Sequence, residues 1–148
     1  MKLTNDWKTA VLESETNEEN IVLVSVRDKL QQFYETGKLK YLIDIEFAYD
    51  GDSKGFPDNE TSDLIEKISE PLKNIMEKDK LAICIIEAIG DNVKNWSYAC
   101  RHLGAFQDRL NECLSENKYI PLQINAYEDT SWGEYQELLD IACMQDNE

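Results

Sequence analysis

The chain has 148 residues, of which 30 are acidic and 15 are basic, so its formal net charge is −15. This negative field repels polyanions and the sequence has no basic stripe, which excludes nucleic acid as an expected partner. The chain has neither a membrane-span-length apolar run nor a signal-peptide apolar segment near its start, so we expect a cytoplasmic protein without membrane contact.

The N-terminal part of the chain predicts a β-hairpin followed by a short helix. Residues 7–12 and 21–26 are rich in strand-forming residues, and a polar turn separates them. Residues 29–34 are long enough for about one helical turn, which should end near Gly37. We therefore expect extra elements ahead of the main fold.

The clearest strand is predicted over residues 41–49, where apolar side chains alternate with a second set that includes Asp44 and Glu46. Successive side chains of a strand point to opposite sides, so one face should be apolar and the other should carry two carboxylates. Apolar residues at helical spacing over 64–76 then predict an amphipathic helix, although Pro71 should bend or split it.

The second half of the chain repeats this alternation of strands and helices. Residues 81–89 form an almost continuous apolar run, and a loop at 90–92 leads to a partner strand over 95–100. Apolar positions from Leu103 to Leu114 predict a second amphipathic helix that should end near Asn117-Lys118, and strict alternation over 121–127 predicts another half-buried strand.

The order strand, helix, strand, strand, helix, strand is the split βαβ pattern. We therefore predict one α+β domain over residues 1–148, a ferredoxin-like split βαβ sandwich (β-α-β-β-α-β) with an extra N-terminal β-hairpin. Ser131 and Glu134 have the spacing of a capping box, which predicts a short C-terminal helix over 134–143.

Metal and cofactor sites are not expected. The cysteines occupy apolar periodic positions at irregular spacing, which predicts buried free thiols. They are Cys84, Cys100, Cys113 and Cys143. The chain has one histidine and no Cys-x-x-Cys pair, which disfavours structural zinc. The loop at 50–55 resembles a calcium loop only in part, because Lys54 stands at a ligand position, so we expect a solvated turn.

Polar residues on two strands suggest a binding surface. If the face that carries Asp44 and Glu46 is open, Gln123, Asn125 and Tyr127 join it from another strand. Together they would form an acidic platform suited to a basic peptide or protein. The same alternation also arises on any solvated sheet face, and two carboxylates on one face can divide acid and base roles, so these readings stay open.

A second candidate site lies on the strand over 95–100. Trp96 and Tyr98 alternate on one side of it and are suited to an aromatic pocket wall, or simply to a core. His102 follows Cys100 at a spacing that would allow an activated thiol. A pocket near Trp96, Tyr98 and His102 would indicate a small-molecule binder or an enzyme.

Several motifs follow one another in an order that resembles the domain-of-unknown-function 695 family. They are Trp96-Ser97-Tyr98, Leu110-Asn111-Glu112-Cys113-Leu114, Tyr119-Ile120-Pro121-Leu122 and Asp129-Thr130-Ser131-Trp132-Gly133-Glu134-Tyr135. The resemblance implies a bacterial protein without an assigned activity, and it carries over no catalytic residues. Some family members share a chain with a domain that resembles the acidic protein inhibitor of ribonuclease E, which hints at protein binding.

The leading hypothesis is a non-enzymatic binding or regulatory module whose acidic surface recognises a basic protein partner, without a cofactor. The alternative is the small-molecule binder or enzyme described above. The chain should be a monomer or a weak homodimer, and self-association would use an unpaired edge of the N-terminal hairpin.

Overall fold

The computed structural model describes residues 2–17, 19–114 and 121–146. Within them, the strands are β1 (Trp7–Glu13), β2 (Ile21–Arg27), β3 (Tyr41–Ala48), β4 (Ala82–Gly90), β5 (Val93–Cys100) and β6 (Leu122–Glu128). The helices are α1 (Gln31–Glu35), α2 (Asn59–Glu77), α3 (Leu103–Cys113) and α4 (Gly133–Asp146). Tyr119 and Ile120, which belong to one of the motifs above, lie outside the described residues.

All six strands join one antiparallel sheet in the order β1-β2-β4-β5-β3-β6. The predicted mixture of helices and antiparallel strands is confirmed, and β1 and β2 form the predicted hairpin. The strand order differs from that of a four-stranded ferredoxin-like sheet. It differs because β2 pairs with β4, which extends the sheet by two strands at that side.

Helices cover both faces of the sheet, whereas a two-layer sandwich was expected. On the α2/α3 face, the core centres on Ile45, Trp96 and Leu72. On the opposite α1/α4 face, a second core contains Ile83 and Trp132. The sheet is apolar on both sides near its centre, so each side must be buried against another layer. The result is a three-layer arrangement.

The chain enters α4 through a turn that differs from the predicted capping box. The Asp129 carboxylate accepts hydrogen bonds from the backbone N–H groups of Ser131 and Gly133, at 3.0 and 3.1 Å. The Ser131 hydroxyl itself donates to Asp129 at 2.6 Å. Asp129, and not Ser131, therefore caps the start of α4. Trp132 has a positive φ of 51°, so the chain turns sharply there. The helix runs to Asp146, beyond its predicted end at residue 143.

A buried ion pair lies where β4 is irregular, at the register shift between Cys84 and Ile86. Arg27 donates to the Glu77 carboxylate at 2.9 Å and to the Cys84 carbonyl at 3.1 Å. Glu77 also accepts the Cys84 backbone N–H at 2.9 Å. The pair thus provides hydrogen-bond partners for backbone groups at the bulge, and so fastens the end of α2 to β4 and β2.

The thiols are free, as predicted, but they are not all buried. Cys84 and Cys100 are buried, while Cys113 and Cys143 are only half-buried. Burial raises the pKa of the Cys84 thiol far above its usual value, and it also raises the pKa of Cys100. Within the described residues, no helix is both long enough and apolar enough to cross a membrane.

Candidate functional site

The register between β3 and β6 brings the five predicted binding residues together. Glu46 lies opposite Gln123, Asp44 lies opposite Asn125, and Tyr127 follows on the same side of β6. We call this group of five residues the acidic face. Asp44 is half-buried and the other four side chains are exposed. The predicted grouping on one sheet face therefore matches the strand register.

Asp44 is held in place from the neighbouring strand. Ser97 lies opposite Asp44 on β5, and its hydroxyl donates to the Asp44 carboxylate at 2.7 Å. The Asn95 amide in turn donates to the Ser97 hydroxyl at 3.2 Å. The carbonyl oxygen of the Asn95 side chain is buried and has no hydrogen-bond partner in the described part of the chain. The Asp44 carboxylate is thus fixed and half-buried, and it favours a donor from outside.

Glu134, on the first turn of α4, borders the acidic face. The Tyr127 hydroxyl lies 3.5 Å from its carboxylate. Burial and then the charge of Asp44 raise the pKa of Glu134. The same two causes come first for Tyr127, whose pKa rises to about 12. The Asp44 charge raises the pKa of both groups, because it opposes a further negative charge nearby.

An open cavity of about 350 Å³ continues the acidic face toward the hairpin. Its apolar lining includes Leu12, Val22 and Ala88. Its carboxylates are those of Glu13, Glu15, Glu46 and Asp91. Among the described residues, no Lys or Arg forms an ion pair with these carboxylates or with Asp44. The α1/α4 face therefore combines a covered apolar half with an open, negatively charged half.

The model of a family of unknown function, DUF695, matches residues 5–139 of the chain. The chain belongs to the DUF695 family. Comparisons with curated proteins and with solved structures found no match. Membership agrees with the resemblance seen in the sequence motifs, and it assigns no activity to any residue. The side chains of this DUF695 chain are therefore the guide to its function.

The second candidate site of the DUF695 chain is not assembled as a shared cleft. Trp96 and Tyr98 are fully buried in the core, and the Trp96 ring N–H donates to Ser69 at 2.7 Å. His102 is exposed and caps α3, where its Nδ1 accepts the Ala105 N–H at 3.0 Å. Cys100 lies beside His102 but contacts its backbone, since the thiol donates to the His102 carbonyl at 3.3 Å. The three residues thus serve the core and a helix end.

The loop that resembles a calcium site uses its ligands internally. The Asp52 carboxylate accepts the backbone N–H groups of Lys54 and Phe56, at 2.9 and 3.0 Å. Gly51 donates to the Asn92 side chain at 3.0 Å, which ties the loop to the turn between β4 and β5. Within the part of the chain that is described, no group of three or more His, Cys, Asp or Glu side chains is placed to hold a metal ion.

Three residues that border the acidic face were not foreseen from the sequence. Asn95, Ser97 and Glu134 were not predicted as site residues. The alternation that placed Trp96 and Tyr98 on one side of β5 also placed Asn95 and Ser97 on the other. That signal was present, but its meaning required the pairing of β5 with β3. Glu134 lies on α4, and the alternation of residues in the strands gives no information about where this helix packs.

The elevated pKa of Tyr127 provides a test of this electrostatic geometry. Asp44→Asn should lower the pKa of Tyr127 from about 12 toward its ordinary value, because one of the causes of the shift is removed. The measurement is an ultraviolet absorbance titration of tyrosine ionisation, with Tyr127→Phe identifying the phenol concerned. An unchanged Tyr127 titration in Asp44→Asn would contradict the proximity of the two groups.

The same shift has a consequence for stability. A folded-state pKa above the unfolded value stabilises the fold at pH values below about 10, and this contribution is lost as the pH rises toward 12. Tyr127→Phe should therefore lose less stability than the unsubstituted protein between pH 10 and 12. Denaturant unfolding at both pH values measures this difference.

Proposed function

We propose that this protein is a non-enzymatic binding module that recognises a basic segment of a protein partner through the acidic face. The observation that carries the proposal is the cross-strand arrangement of Asp44, Glu46, Gln123 and Asn125 on one open surface. Among the described residues, Asp44 and Glu46 form no ion pair, and such carboxylates are suited to pairing with cations on another molecule. The flanking amides and the Tyr127 hydroxyl add hydrogen-bonding groups at the rim.

The local chemistry favours a cation over other ligands. Asp44 is already fixed by Ser97, so it loses little side-chain freedom on binding. The raised pKa values of Tyr127 and Glu134 reflect burial and the nearby Asp44 charge, and an arriving Lys or Arg would relieve that repulsion. A basic ligand is therefore expected to lower the pKa of Tyr127, which gives a spectroscopic signature of occupancy.

The test is capture of partners at low salt on the purified protein, followed by elution with a salt gradient. We expect a basic protein that is released at moderate salt, because screening weakens pairs between exposed charges. The double variant Asp44→Lys, Glu46→Lys should stay folded and lose this partner. Binding of the same partner by the double variant without salt dependence would refute the proposal.

A matched control keeps the change in net charge the same. Glu66 and Glu70 are exposed on α2, on the other side of the sheet from the acidic face. Glu66→Lys with Glu70→Lys should retain the partner captured by the unsubstituted protein. If both double variants lose binding equally, only the overall charge of the protein matters and the acidic face has no special part.

The small-molecule alternative receives less support, because its three residues are placed in the core and at a helix end. We also propose that β3 to β6 with α2 and α3 form a ferredoxin-like unit to which the hairpin, α1 and α4 are added. The neighbour order β4-β5-β3-β6 and the common α2/α3 face support this assignment. The free thiols support a reducing compartment, which fits a cytoplasmic protein.

A further inference from the structure

We propose that the partner segment binds as an extended strand on the outer edge of β6, with basic and apolar residues in alternation. This inference rests on the proposed function and adds the mode of binding and the pattern of the ligand. It follows from the hydrogen-bonding direction of β6, from the contrast between the two sheet edges, and from the different chemistry of the two sides of β6.

The first observation is which backbone groups of β6 face outward. Tyr49 N–H donates to Asn92 on the β5 side of β3, while Asp129 N–H donates to Lys40 on the β6 side. Hydrogen-bonded pairs recur at every second residue of an antiparallel ladder. Continued through the register, this alternation pairs Gln123, Asn125 and Tyr127 with β3. The backbone N–H and C=O groups of Ile124 and Ala126 therefore point away from the sheet.

The two edge strands of the sheet differ in whether their outer backbone groups are hydrogen-bonded. At the β1 edge, the Gln145 carboxamide accepts the Val11 N–H at 2.7 Å and donates to the Val11 carbonyl at 2.9 Å. A side chain of α4 thus occupies the place of a neighbouring strand. At the opposite edge, no described residue pairs with the outer side of β6. Six of its seven residues are exposed.

The two sides of β6 favour different side chains on a bound segment. On one side lies the acidic face. On the other, Ile124 is 50% exposed and borders a mainly apolar cavity of about 360 Å³ between α3 and the sheet. Its apolar lining includes Ile43, Leu103, Phe106, Leu110 and Ala126. An added strand would place alternate residues over these two environments.

These features specify one occupant. An extended segment with Lys or Arg at every second position places its cations beside Gln123 and Asn125, from which the long side chains can extend toward Asp44 and Glu46 on β3. The added strand would lie about 10 Å from β3, which is two strand spacings, and its intervening apolar residues would lie beside Ile124 and the apolar cavity. Backbone hydrogen bonds supply affinity in this mode of recognition, and the alternating side-chain pockets supply specificity. A helix would satisfy neither the outward N–H groups of β6 nor the two-residue repeat.

The test uses three synthetic peptides of about nine residues. One alternates Lys with Val, the second has the same composition with the lysines and valines in separate blocks, and the third is the alternating peptide N-methylated at every second residue on the edge that pairs with β6. We expect the alternating peptide to bind at least about tenfold more tightly than the other two, measured by fluorescence anisotropy at low salt.

A protein variant complements the peptides. Ile124→Pro removes an outward N–H that has no partner in the described structure, and proline is tolerated on edge strands at such positions. Binding of the alternating peptide should fall about tenfold, while circular dichroism stays unchanged. If Ile124→Pro unfolds the chain, the N-methylated peptide still decides the question, because it leaves the protein intact.

The outcomes separate the two proposals. Equal binding of the alternating, blocked and N-methylated peptides, all lost in Asp44→Lys with Glu46→Lys, would overturn strand addition and retain the acidic face. Binding of all peptides by that charge-reversed variant would overturn both. A gain of dimer at high concentration of the protein alone, abolished by Ile124→Pro, would instead assign the β6 edge to a second copy of this chain and overturn the basic partner segment.

Discussion

Replacement of Arg27 by methionine should lower the free energy of unfolding by about 3–5 kcal/mol, which is the range for breaking a buried ion pair at one partner. The Arg27 side chain is only 6% exposed, and that of Glu77 is 16% exposed. Methionine preserves much of the volume but leaves the Glu77 carboxylate buried without its cation. The Cys84 carbonyl and the Thr4 carbonyl also lose a donor.

Urea unfolding followed by circular dichroism measures this change. Asp6→Ala is the control, because it removes an ion pair with Lys29 in which both side chains are largely exposed. That variant should remain close to the unsubstituted protein, since exposed pairs contribute little. A loss below about 1 kcal/mol for Arg27→Met would mean that Glu77 finds water or another partner, and the buried pair would not fasten α2 to the sheet.

Replacement of Trp132 by alanine should also cost about 3–5 kcal/mol, as expected when a large aromatic residue is removed from a core. Trp132 is fully buried, and its ring packs 5.4 Å from that of Tyr135 and 5.8 Å from that of Tyr34. Its ring N–H donates to the Leu39 carbonyl at 2.7 Å. The side chain therefore links the start of α4 to α1 and to the segment ahead of β3.

Trp132→Phe separates packing from the hydrogen bond. It retains an aromatic ring but leaves the Leu39 carbonyl without its donor, so it should cost about 1–3 kcal/mol, less than the alanine variant. Urea unfolding again gives the values. Equal losses for the two variants would show that the ring itself contributes little to the α1/α4 core, which would contradict its position between two other aromatic rings.

The sequence allowed much of the fold to be predicted, because strand alternation is a local property. The pattern around Asp44 and Glu46 identified the two faces of β3, and the pattern over Gln123 to Tyr127 did the same for β6. Their grouping then required only that these strands be neighbours. The second helical layer was not predicted, because α1 is a single short helix of 5 residues and α4 has a weakly amphipathic sequence.

The burial of other residues could not be decided from the sequence, because alternation alone does not indicate how deep a side chain lies. Trp96 and Tyr98 alternate equally well on a pocket wall and in a core, and only the packing of α2 and α3 decides between the two. The capping box at Ser131 failed for a different reason. Its spacing assumed that the chain enters the helix in an ordinary extended conformation, whereas the positive φ of Trp132 brings Asp129 to the helix start.

The contact between Gln145 and Val11 joins residues 134 positions apart in the chain. During synthesis, β1 and β2 leave the ribosome long before α4 exists, so the Val11 backbone groups stay hydrated until α4 has been made. Helix α4 thereby completes the hydrogen bonding of the β1 edge only after the hairpin has been synthesised. Interactions this distant in sequence are expected to slow folding, because the intervening chain must be ordered before they form.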